Sequence, residues 1–488
     1  MEKKKILLMI PRGGYYVLSY TQLKITQPAL GLGYISSYLR SKGYDVSIVD
    51  ANLRGLSGNK LQSLLIELQP QIVGVSFTTM GRFAAFELIR LVKKTLPNTI
   101  TIAGGPHVSL TADDTLTSIN ELDIIVRGEG EETTKELIDA LGNGNDLSKI
   151  AGISYRKDNN IIHNPPRTFI KDLDSLPFPE QKLDEYNFQR HVPGKGVIKF
   201  GSILASRGCP YNCYFCSLKT LWSRRVRYRS PENVIDELLY LKDKYSIRGF
   251  HILDDTFTLN RKWVEDICDL LEKRELNLSF ICHIRVDSVD FNLLKRMKEV
   301  GCYELSYGVE SGSPRILDEV IGKKTKIEQI RNVRTWCMDL GIHPLESFIV
   351  SHPTETKEDL DETWKLILES PCKDGVTINF LRIYPGTEVE KIAREKEILP
   401  HEFSWAKRFN QKIDIPSLHG DVPLFKDILS WKDISEFLIK WHKYKKFPVV
   451  KRISQASKEI HSVTDFLRLL KAGLIFLLQS VRGVLTKT

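Results

Sequence analysis

The sequence predicts an α/β protein built from two successive units. The first is a doubly wound, Rossmann-like sheet of flavodoxin-type strand order. The second is a partial (β/α)6 barrel, followed by a helical C-terminal region. Three observations predict this. Apolar runs of strand length alternate with amphipathic helical runs from residue 4 to 142. Six more apolar runs recur at βα spacing between residues 201 and 385. A polar, Pro-rich stretch separates the two series. The expected limits are 1–145, a linker over 146–200, the barrel over 201–390, and a helical region with a basic amphipathic tail over 391–488.

Bulk properties bound the answer. The chain has 488 residues, enough for two or three cores. Hydrophobic content of 42% and charged content of 27% are ordinary for a globular protein. Net charge is +9, but residues 441–488 hold ten Lys/Arg against two Asp/Glu. The excess is therefore a basic tail, which argues against a nucleic-acid surface. Lys3–Lys5 precede an apolar stretch of only five residues, Ile6–Ile10, too short for a signal sequence. A reducing cytoplasm is the expected compartment.

In the first unit the expected strands are Ile6–Ile10, Val46–Asp50, Ile72–Phe77, Thr99–Ala103 and Ile124–Arg127. Continuous apolar strands separated by helices imply a parallel sheet covered on both faces. Ligands of such sheets bind beyond the carboxyl ends of the strands. Those ends carry Asp50, then Ser76, Thr78 and Thr79, then Gly104, Gly105 and His107, then Gly128, Glu129 and Gly130. Small residues there let a ligand approach the backbone. No G-x-G-x-x-G opens the first helix and no Walker A motif occurs. The linker contains an expected hairpin, Ile153–His163, with an Asn-rich turn.

The barrel runs are Ile203–Ser206, Phe250–Leu253, Ser279–Ile284, Tyr303–Gly308, Leu345–Val350 and Thr377–Ile383. Ser230 before Pro231 reads as an N-cap and first helical position. Immediately after the first run stands Cys209-Pro-Tyr-Asn-Cys213-Tyr-Phe-Cys216. Iron–sulfur clusters are commonly held by four Cys; three leave one iron open. A zinc knuckle is the bland alternative, but zinc sites favour paired CxxC groups and no second one exists here. Cys268, Cys282, Cys302, Cys337 and Cys372 read as buried small hydrophobes.

The CxxxCxxC loop, with Phe215 before its last Cys, resembles the radical S-adenosylmethionine (SAM) superfamily. The resemblance implies a [4Fe-4S] cluster on Cys209, Cys213 and Cys216, whose open iron chelates SAM. Gly308-Val-Glu-Ser-Gly312 resembles the family segment that contacts SAM, which makes Glu310 and Ser311 SAM-binding candidates. Asp254-Asp255-Thr-Phe resembles the segment near SAM and substrate, and Phe215, Asp254 and Arg285 join the cofactor-binding set. Arg285 would pair a carboxylate bidentately, either of a cofactor or of Asp287. Where the family shows Gly-x-Pro-Gly-Glu-Thr, this chain reads Ser351-His-Pro-Thr-Glu-Thr356. Both Gly positions are replaced, and His352 is a substrate-facing candidate.

Gln27-Pro-Ala-Leu-Gly31, Val73–Phe77, Ala103–His107 and Val126–Glu131 are similar to the cobalamin-binding domain that precedes the radical SAM core in one class of these enzymes. The D-x-H-x-x-G motif, whose His ligates cobalt in some such domains, is missing. His107 is accordingly a pocket-lining candidate only. The implied activity is methylation of an unactivated carbon in a small-molecule or lipid substrate, by a deoxyadenosyl radical and methylcobalamin. The implied partner is a reducing electron donor such as flavodoxin or ferredoxin. Two alternatives stay open: a radical cyclase or carbon-skeleton enzyme without methyl transfer, and a cobalamin- or cluster-based sensor. In the tail, Phe466–Leu485 has its longest uncharged run over Ala472–Val481, ten residues, where a spanning helix needs about 20. A surface-lying helix beside Lys443, Lys445, Lys446, Lys451 and Arg452 fits better, giving peripheral membrane contact.

Overall fold

The first sheet forms because its central strands bury both of their faces. The computed structural model describes residues 4–12, 27–158, 160–186, 188–411 and 421–445. Strands β1 (Lys5–Ile10), β2 (Asp45–Asp50), β3 (Ile72–Ser76), β4 (Ile100–Gly104) and β5 (Ile124–Val126) pair in parallel in the order β2-β1-β3-β4-β5. This is the flavodoxin-type order. Alternate residues point to opposite faces. Ile6, Leu8, Ile72, Ile102 and Val126 pack with Leu32, Leu39 and Leu137 of the helices on one side. Leu7, Met9, Val73, Val75 and Ala103 pack with Leu65, Phe86 and Ile89 on the other.

The expected linker is more structured than its composition suggests. Its hairpin forms β6 (Ile153–Lys157) and β7 (Asn160–His163), and β6 pairs antiparallel with β5, extending the first sheet. Residues further on open the second sheet as β8 (Gln189–Val192) and β9 (Gly196–Ile203).

The second sheet is the partial barrel. β9, β12 (Gly249–Ile252), β13 (Ser279–Ile284), β14 (Cys302–Glu310), β15 (His343–Val350) and β16 (Val376–Phe380) pair in parallel and in sequence order. The first barrel strand thus ends at Ile203, earlier than Ser206. The Ala205 amide donates to Asp254 (2.7 Å) in place of a neighbouring strand. Ser206–Arg207 (β10) instead pairs with Arg227–Tyr228 (β11), closing a small hairpin around the cysteine loop. Helix Pro231–Tyr245 begins as expected, with the Ser230 hydroxyl accepting from the Asn233 amide. The C-terminal region closes the assembly. The Phe425 amide donates to Leu381 O, and helix Trp431–Lys445 buries Ile434, Phe437 and Trp441 on the barrel. Fully buried Arg82 donates to Trp405 O (2.8 Å), tying this region to the first unit. Among the described residues no helix is long and apolar enough to cross a membrane. The amphipathic tail expected over 466–485 lies outside the described residues.

Candidate active site

The cysteine loop sits across the carboxyl ends of the barrel strands, and each strand end grips it differently. Gly208 enters the loop at φ +103°, and a Cβ there would lie 2.0 Å from Arg225 O, so only glycine fits. Beyond β13, the Arg285 guanidinium stacks 3.6 Å from the Tyr211 ring centroid and pairs with both Asp287 oxygens at 2.9 and 2.7 Å. The carboxylate it pairs is therefore its own neighbour's, and its role here is to hold Tyr211. Beyond β15, Tyr214 Oη lies 2.6 Å from His352 Nδ1. His352 is fully enclosed, so it buttresses the loop and does not face a substrate. The amides of Glu388 and Val389 donate to Tyr214 O from the C-terminal side.

The three thiols are free and half-buried. Burial raises the pKa of each, that of Cys216 to about 12, while Lys323 and Arg285 pull Cys213 back. Bound iron would displace those protons. No three His, Cys, Asp or Glu among the described residues converge on a single-ion site. A cluster takes one thiolate per iron, so the spread of the three Cys along their loop fits it. Phe215 packs edge-on to Tyr214 (5.6 Å) under the loop.

Glu310 ends β14 at φ +69° on a register shift. Its carboxylate folds back over Gly308 to Lys323 Nζ, 3.0 Å away, and a Cβ on Gly308 would meet it at 1.9 Å. Two of the expected SAM residues turn elsewhere. Ser311 is fully buried, with Oγ 3.1 Å from Thr363 Oγ1 and accepting from the Ser313 amide. Asp254 is 1% exposed and accepts from the Ala205 amide and from Ser206 Oγ (2.6 Å), so it anchors the chain that leads into the cysteine loop. Its neighbour Asp255 is exposed and lines the open space. The resemblance pointed to the Asp254-Asp255 segment, and the structure turns the two side chains to different surroundings.

That open space is a cavity of about 380 Å³ between the two units. Ser76, Gly104, Gly105, Gly128, Glu129 and Gly130 line it from the first sheet; Leu204, Ser206, Gly208, Leu253 and Asp255 line it from the barrel. Its floor is Ile6, Leu8, Ile72, Ile102 and Val126, and a Cβ on Gly74 would reach within 2.8 Å of Leu8. Apolar walls with a bare glycine rim suit a flat organic group. The remaining strand-end candidates point away. Thr78 and Thr79 start a turn outside the lining, and Thr79 Oγ1 lies 3.1 Å from His107 Nδ1. His107 is fully buried among Phe77, Phe86 and Trp405, and burial pushes its pKa down to about 3. It is a core residue on the opposite face of the sheet.

Sequence reasoning missed the lock between the units. Glu129 Oε1 accepts from Arg207 Nη1 (2.7 Å), Glu129 Oε2 from Arg227 Nη1 (2.8 Å), and Glu131 Oε1 from Arg207 Nη2 (2.7 Å). Glu129 also accepts from the Ile170 amide. Its carboxylate is thus fully engaged, and what it offers the cavity is its stem.

Comparison with known proteins agrees with this geometry. The profile described as the Radical SAM superfamily matches residues 203–367, and that of the B12 binding domain matches 21–138. An uncharacterized methyltransferase of Pyrococcus horikoshii is 35% identical over 402 residues, 82% of this chain and 85% of the relative. The anaerobic magnesium-protoporphyrin IX monomethyl ester cyclase of Rubrivivax gelatinosus is 31% identical over 70% of this chain and 61% of its own length. The solved cobalamin-dependent SAM radical enzyme OxsB, with aqua-cobalamin and SAM bound, superposes with TM-score 0.74 at 22% identity, covering 96% of this chain and 70% of that one. The chain belongs to the cobalamin-dependent radical SAM enzymes, whose cofactors are a [4Fe-4S] cluster, SAM and cobalamin.

Proposed function

We propose that the enzyme methylates an unactivated carbon of a small-molecule or lipid substrate. One observation carries the reading: a single cavity is walled by both units and runs to Gly208, the residue before Cys209. When bound, the cluster and SAM supply radical chemistry and the corrinoid supplies a transferable methyl group. The chain's own residues do the positioning. Cys209, Cys213 and Cys216 would hold the cluster, with Arg285 and His352 fixing their loop through Tyr211 and Tyr214. Glu310, held at Lys323 beside the same loop, would be the SAM-binding residue. The glycine rim of residues 1–145 would hold the corrinoid against the barrel of residues 201–390. Leu204 and Leu253 exclude water where the units meet. An external one-electron donor such as flavodoxin or ferredoxin, a cytoplasmic location and peripheral membrane contact through the tail complete the reading. A cyclase reading is favoured by the cyclase relatives, that of Rubrivivax gelatinosus among them.

The test is a cofactor inventory on protein purified without oxygen, with iron, sulfide and the visible spectrum after loading with hydroxocobalamin. Cys213→Ala is expected to lose the iron, about four per chain, and keep a stoichiometric corrinoid. Iron without corrinoid in the wild type would remove methyl transfer from the mechanism. Product mass then separates the readings: one methylene gained means methyl transfer, two hydrogens lost means ring closure.

A further inference from the structure

The inner wall of the barrel keeps more surface than its outer wall. Along β15, Pro344, Glu346, Phe348 and Val350 are buried against helices, while Leu345, Ser347 and Ile349 remain half-exposed. On β16, Thr377 and Asn379 are exposed. A filled barrel interior would bury the inner positions instead. The lumen is therefore a chamber. The cysteine loop lies at its top. Its bottom is closed by Phe200, Ile281 and Tyr303 and by the Arg190–Glu304 pair at 2.6 Å.

On that floor stand two imidazoles from adjacent strands. His251 Nε2 and His283 Nε2 are 3.3 Å apart. Gln27, from the first unit, places its side-chain nitrogen 2.9 Å from His251 Nδ1. Burial lowers the pKa of both rings, so both are neutral at pH 7. The protons then follow in sequence. An amide nitrogen only donates, so His251 Nδ1 accepts and carries no hydrogen. The hydrogen of His251 is on Nε2 and donates to His283 Nε2. The hydrogen of His283 is consequently on Nδ1, which makes no hydrogen bond among the described residues and belongs to a half-exposed ring.

We propose that His283 Nδ1–H is a substrate-recognition donor, and that the chamber takes a neutral, largely aliphatic molecule presenting a hydroxyl or carbonyl oxygen to it. The proposal rests on the barrel being the substrate side of the radical enzyme. Charge argues against an anion. The neighbouring cations are already paired, Arg190 with Glu304, Arg285 with Asp287 and Lys323 with Glu310. An anion would give up its hydration and meet no free countercharge among these groups. Leu345 and Ile349 supply the aliphatic wall. Gln27 makes recognition depend on the first unit, because it selects the tautomer.

The test uses the full chain without cofactors, labelled with 15N-histidine, and two probes of equal length, 1-octanol and sodium octanoate at pH 7.5. His251 is expected as the Nε2–H tautomer and His283 as the Nδ1–H tautomer. Octanol should shift the His283 Nδ1 resonance and bind at least about tenfold more tightly than octanoate, one hydrogen bond's worth of discrimination. His283→Phe should weaken octanol about tenfold, and His283→Gln, which keeps an N–H donor, should recover most of it. Gln27→Met leaves the barrel untouched and should release His283 from its single tautomer. Octanoate binding as tightly as octanol, or His283 in the Nε2–H tautomer, overturns the proposal. Because the readout needs neither iron nor corrinoid, a protein that holds both cofactors yet prefers octanoate overturns the substrate class and leaves the methylation reading standing.

Discussion

Replacing Glu129 by alanine removes the carboxylate that joins the two units. The side chains of Glu129, Arg207 and Arg227 keep only 4%, 10% and 12% of their surface, so water does not rescue the pairing. Arg207 retains Glu131 at 2.7 Å. Among the described residues Arg227 then has no carboxylate left, and it keeps Ile170 O and the faces of Phe169 and Trp222. The cost therefore falls mainly on one uncompensated buried guanidinium, about 3–5 kcal/mol. Urea unfolding followed by tryptophan fluorescence should show that loss in the transition that separates the units, with Trp222 as a local reporter. Adding Arg227→Met should recover most of it, since a buried pair replaced by apolar groups is close to neutral. A loss below about 1 kcal/mol, typical of an exposed pair, would refute the assignment of Glu129 as a buried inter-unit lock.

Two further outcomes follow from particular residues. Burial pushes the pKa of Glu355 up to about 8 and that of Asp254 to about 7. The folded state then holds protons that the unfolded chain has released, so stability should fall as pH rises from about 4.5 to about 8; Glu355→Gln should flatten the slope of the urea midpoint against pH, and an unchanged slope would sink the assignment. Ser351 and Thr354, which replace the family's two glycines, stand at φ +74° and +60°. Thr354 is exposed and β-branched, and its Oγ1 accepts only an exposed contact from Arg315 (3.2 Å), so Thr354→Gly should raise the unfolding free energy by up to about 1 kcal/mol; Ser351→Gly should gain less, because buried Ser351 Oγ donates to Phe425 O (2.8 Å).

The strands, the sheet order and the cysteine loop were legible because each is written locally. Continuous apolar runs mark β1 to β5, and the loop's spacing is visible within eight residues. Side-chain direction at strand ends was not legible. Thr79 and His107 share a strand-end neighbourhood with Gly104 and Gly105 but lie on the other face of the sheet, and Asp254 turns inward while Asp255, one residue on, lines the cavity. The Arg207–Glu129 contact spans 78 positions and leaves no periodic trace in either segment. His251 and His283 stand on different strands 32 residues apart, and only the register of those strands, with Gln27 laid against them, makes a pair. The linker misled for a related reason. Pro165, Pro166, Pro177 and Pro179 break structure where they stand, yet the segments on either side still complete the two sheets.

The cavity wall drawn from both units has a thermodynamic consequence. A ligand that touches Gly128–Glu131 on one side and Leu204–Gly208 on the other acts as a structural member between them. Its binding energy is shared, so a corrinoid held there at one hundred times its dissociation constant would add about 2.7 kcal/mol to the cohesion of the barrel as well as of its own domain. Protein made without the corrinoid would lose that contribution at the seam that Arg207 and Arg227 hold. The ion pairs and the cofactor are then two fasteners on one joint, and weakening either raises the chain's dependence on the other.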